Sequence, residues 1–171
     1  VVHHKEVLVA CRHMRRSTDL QHQRSLWGEN HVECCTQLSR LRDSASSAST
    51  VVVDDSLDGD AAALTTLDAL NELATLQRRA EGVVRKMYDK LATARGKYVP
   101  PQDADEELLR VAAAEVALYE QQLQLQARLL RSIALSAAPT DIVGACIVWR
   151  EQPNLPDEEL AALWARREAI A

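Results

Sequence analysis

Thiols and imidazoles crowd the first 35 residues of this chain. Cys11, His13, His31 and Cys34 read as C-x-H-x17-H-x2-C, with His3, His4, His22 and Cys35 close by. Thiolate and imidazole are the ligands zinc takes, so these four are metal candidates by ligand type. Their spacing matches no common finger or knuckle, and the expectation is that the protein holds no metal and no cofactor. Cys146 is the remaining cysteine. Four cysteines without regular spacing in 171 residues point to reduced, structural thiols rather than a disulfide scaffold.

A second pattern lies at Asp54, Ser56, Asp58, Gly59 and Asp60, which match the opening positions of a calcium-binding loop of the EF-hand type. The match fails at its twelfth position, Thr65, where a bidentate Glu belongs. Acids at the start of a helix explain the same residues, because the helix N-terminus favours negative charge. Glu106–Glu107 and Asp157–Glu159 fall under the same explanation. The chain has no glycine-rich phosphate loop, no nucleophile elbow and no HExxH, so it is not expected to be an enzyme. Arg12, Arg15, Arg16 and Arg24, with Trp27 nearby, are the residues that would meet phosphates if the chain bound RNA.

The elements that position these residues are helical. The formal net charge is −5, only 4% of residues are aromatic, phenylalanine is absent, and there are five glycines and five prolines. Sheet proteins need more turn and pleat-filling residues than that, whereas Ala, Leu, Gln, Glu and Arg favour helices. The expectation is an all-α fold: a long antiparallel helical hairpin with an extended polar N-terminal arm and a short C-terminal helix. Residues 1–43 form the arm, read as short helices or extended segments that pack on something else, with seven Lys or Arg against four acids up to Arg42. Residues 44–59 are a Ser/Asp-rich linker, 60–138 the hairpin, and 139–171 an apolar segment plus a C-terminal helix.

Two proline-free stretches flank GKYVPPQ, where Gly96 suits a helix end and Pro100 and Pro101 forbid continuation. Asp103 and Glu106 then fit a capping box. Leu73, Leu76, Ala80, Val83, Met87, Lys90 and Ala94 recur at spacings of three and four on one helix. Leu109, Ala112, Val116, Tyr119, Leu123, Gln126, Leu130, Ile133 and Ala137 do so on the other, which is a heptad-like seam. Lys90 interrupts it near the loop, where its long side chain is expected to reach water. Leu64, Leu67, Leu70, Leu73 and Leu76 recur every third residue and wind around the helix, so burial on several sides is expected. The segment 141–149 reads as helix or strand. The helix after Pro156 carries an apolar face of Leu160, Leu163, Trp164 and Ile170, expected to dock with Trp164 as anchor.

With no catalytic constellation, the sequence points to a non-catalytic structural subunit of a multiprotein assembly. Leu64, Leu67, Leu70, Leu123, Leu130, Leu160 and Trp164 are its expected contact residues. RNA contact through the arm is the alternative, and a small metal-binding module the third. The longest uncharged apolar run, 142–149, is too short to span a bilayer. The expected setting is intracellular, mitochondrial or cytosolic.

Overall fold

A computed structural model describes residues 14, 18–50, 58–98, 103–135 and 139–170. Among these residues the structure is helical, with no strand. The helices are α1 (Gln21–Thr50), α2 (Asp58–Lys97), α3 (Asp103–Leu135), α4 (Pro139–Glu151) and α5 (Asp157–Ala169). The ambiguous 141–149 segment is therefore helical. Pro139 starts α4, where a missing N–H costs nothing. Pro156 is the N-cap of α5.

The largest correction concerns the arm. It is not extended from residue 21 onward: α1 is a single helix of 30 residues that continues through Ser44 to Thr50, into the stretch expected to be linker. Its periodicity is disguised by polarity. Leu20, Trp27, Cys34 and Leu41 are buried every seventh residue, and the alternate buried row is Gln23, Asn30 and Gln37. A heptad whose second row is amides does not read as an apolar stripe.

The chain divides into two compact units. The first draws on the chain up to Leu26, on 82–121 and on the chain from Asn154. Met14, Leu91, Ala94, Leu108, Leu109 and Ala112 form its core, with Tyr98 and Ile170 against it. Tyr88 donates to Glu120, which pairs α2 with α3 in antiparallel sense. Lys90 is half-buried, and its ammonium donates to the Asp19 carbonyl at 2.7 Å, just ahead of α1. Asp19 in turn caps α1, accepting from the Gln21 N–H at 3.0 Å.

The second unit comprises 27–81 and 122–153, with parts of α1, α2 and α3 and the whole of α4. Cys34, Leu38, Leu41, Ala69, Leu73, Leu76, Ile133, Ile142, Ala145, Cys146 and Trp149 make its core. Buried amides connect the helices. Asn30 donates to the Leu76 carbonyl at 3.1 Å, and Gln77 to that of Leu123 at 3.3 Å. Trp27 donates its indole N–H to Gln152 at 2.8 Å.

Leu73 and Leu76 are fully buried and Leu70 is half-buried, but Leu64 and Leu67 stay 62% and 54% exposed. The every-third-residue stripe drifts off the row 69–73–76–80 that faces the core, so its first members leave the interior of this chain. Leu123 and Leu130, expected deep in the seam, are half-buried. The residues taking the inner positions there are Gln122 and Gln126.

Candidate functional site

The most constrained polar cluster lies in the first unit. Glu115 on α3 is 1% exposed and stands 2.6 Å from Arg24 Nε. The same carboxylate accepts the Trp164 indole N–H at 3.3 Å, and the Arg24 guanidinium lies over the Trp164 ring at 4.8 Å from its centre. Beside them, burial and the Glu115 charge push the Tyr119 hydroxyl up to about 12. Three helices are thereby fastened by one buried carboxylate: α1 through Arg24, α3 through Glu115 and α5 through Trp164. Arg166 with Glu107, and Arg167 with Asp19 at 3.6 Å, add contacts along α5. Leu160 is buried in the same unit. Trp164 thus anchors α5 to its own chain. Arg24, taken from sequence as a phosphate contact, is occupied by a carboxylate and a ring.

The thiols group differently from the sequence pattern. Cys34 faces the core of the second unit at 1% exposure, and burial pushes its thiol to about 12. His31 turns instead to Cys35, one helical turn on, with Nε2 and Sγ 3.5 Å apart. Both are half-buried. Burial holds the His31 pKa down against a smaller opposing contribution from the Arg150 backbone. Burial raises the Cys35 pKa, and the neighbouring Arg150 guanidinium opposes that rise. Cys146 of α4 donates its thiol to the Leu38 carbonyl at 3.6 Å. Among the described residues no three His, Cys, Asp or Glu side chains converge as metal ligands. Cys11, His13, Arg12, Arg15 and Arg16 lie outside the described residues. So do 54–57 of the calcium-like pattern, while its members Asp58, Gly59 and Asp60 form the first turn of α2, where residues do not loop around a cation.

Two surface features of the second unit remain. A cleft of about 380 Å³ between α1 and α2 is lined by Gln37, Arg40, Thr65, Asp68, Ala69 and Glu72. Elsewhere in the unit large apolar side chains stand exposed on four helices: besides Leu64 and Leu67 of α2, Leu135 of α3 is 81%, Val32 of α1 67% and Ile147 of α4 57% exposed. Among the described residues no helix is long and apolar enough to cross a membrane. No protein-family model, no curated protein and no solved structure matches this chain.

Glu115 and Cys35 were not singled out from sequence. The signal for Glu115 is its place on the row Leu108–Glu115–Gln122–Leu129, which runs beside the hairpin seam. The signal for Cys35 is its i, i+4 spacing from His31.

Proposed function

We propose that the chain is a non-catalytic structural subunit, a helical module that meets other proteins through helix faces of its second unit. The observation that carries this reading is the exposure of Leu64 and Leu67 on consecutive turns of α2, with Leu135 exposed at the end of α3. Single exposed leucines are ordinary on a protein surface, but paired ones on one helix are a contact feature in search of a cover. The polar residues of the interior support the same reading. Among the described residues they are spent on fastening helices to one another, as Asn30, Gln77 and Glu115 are.

The test is purification of the full chain from its source at native abundance, followed by native mass measurement. A complex of fixed stoichiometry is the expected result. A chain that runs as a monomer at all concentrations and carries no stoichiometric companion overturns the reading.

A further inference from the structure

We infer that α5 is exchangeable between copies of this chain: two chains dimerise by each laying its α5 on the α1 and α3 residues that hold α5 in the other. The inference concerns the first unit and does not draw on the exposed leucines of the second.

The first observation is how α5 is held. Of its 13 residues only Leu160 is buried. Leu163, Trp164 and Arg167 are half-buried and the others are exposed. The rest of the hold is polar: the Trp164 N–H on Glu115, Arg24 over the Trp164 ring, Arg166 on Glu107 and Arg167 beside Asp19. A helix this short does not persist in water by itself, and an element with so little buried apolar surface opens well before the whole fold does. An open α5 needs a seat.

The second observation is the hinge. Helix α4 ends at Glu151 and α5 starts at Asp157, so only Gln152 to Pro156 join them. Gln152 has φ 46° and is, among the described residues, the one non-glycine at positive φ. Its own Cβ opposes that conformation. So does Pro153, whose ring biases the preceding residue toward extended backbone. The turn is held by Gln152 Oε1, which accepts the Trp27 indole N–H at 2.8 Å. Extending Gln152 relieves the strain and changes the direction in which the chain leaves α4. A short hinge under strain favours exchange of the element it carries.

The third observation identifies the occupant. The seat engages an indole N–H and two neighbouring guanidiniums at the spacing of Trp164, Arg166 and Arg167. A second copy carries that set at that spacing. Every contact of the closed chain therefore recurs in the dimer, and the two states differ in the hinge and in their dependence on concentration.

The test uses the full chain. Light scattering over a concentration series should show a dimer whose share grows with concentration. Two charge variants then identify the exchanged element. Arg166→Glu sets an acid against Glu107, and Glu107→Arg sets a base against Arg166, so each variant repels its own α5. Unfolded together, refolded and weighed by native mass spectrometry, they should form the mixed dimer well above the share that random pairing gives. Only there does each α5 meet an opposite charge. Circular dichroism confirms that each variant folds. Pro153→Ala, at an exposed position, lifts the restriction on Gln152 and should lower the dimer share at each concentration. A chain that stays monomeric throughout overturns the inference, and so does a Pro153→Ala chain that dimerises like the parent. Random pairing of the two charge variants also overturns it, and leaves the reading of the second unit's leucines standing.

Discussion

Replacing Arg24 with Met tests whether the Glu115 cluster holds the first unit together. Glu115 is 1% exposed, so removing its cation leaves a charge with almost no water. Breaking a buried ion pair by deleting one partner costs about 3–5 kcal/mol. Two features of the site shift that figure. Arg24 itself is 21% exposed, which places the cost at the lower end, and the Trp164 N–H still donates to the carboxylate. The stacking of Arg24 on Trp164 adds about 0.5–1 kcal/mol to the loss. The net expectation for Arg24→Met is a loss of about 3 kcal/mol in urea unfolding followed by circular dichroism. The double variant Arg24→Met/Glu115→Leu removes the stranded charge along with its partner and should recover most of that loss. An Arg24→Met protein within about 0.5 kcal/mol of the parent, the range of an ordinary surface substitution, would show that the Glu115 cluster does not hold the unit together.

Trp149 is fully buried in the second unit, so Trp149→Ala should cost about 3–5 kcal/mol in the same assay, and a parent-like midpoint would show that the core is misassigned. Asp105 is 4% exposed and burial raises its pKa above 3.8, so its ionisation opposes folding. Stability from the protonated form is fully present below pH 3.8 and is lost as pH rises through the folded-state value. Asp105→Asn should therefore be more stable than the parent at neutral pH and lack that decline, which unfolding curves across the acid range will show. Under native conditions iodoacetamide should label Cys35 well before Cys34, whose thiol is buried and pushed up to about 12. Equal labelling rates measured by mass spectrometry would contradict the placement of α1.

The hairpin was legible because its signals are local and apolar: a seam at spacings of three and four, a glycine and two prolines between the helices, and a capping acid at Asp103. Helix α1 was not legible as a helix because its second buried row is Gln23, Asn30 and Gln37. Amides at inner positions pass for surface until their partners are known, and those partners, the Leu76 carbonyl for Asn30 and the Arg40 side chain for Gln37, are tertiary or polar. The Glu115 cluster was hidden for the same reason. A Glu, an Arg and a Trp separated by as many as 140 residues carry no joint signal along the chain. The leucine stripe was legible as well: a three-residue repeat does not follow a 3.6-residue helix, so within one chain its leading members rotate out of the core.

Leu64 and Leu67 mark, we propose, a surface made for another protein. Its most direct test compares the native mass of the parent with that of Leu64→Lys/Leu67→Lys, both purified from the source at native abundance, with melting curves alongside. Both leucines are exposed, so the variant should melt within about 0.5 kcal/mol of the parent while its mass falls to that of a chain that has lost its companions. An unchanged complex mass at unchanged stability contradicts the claim.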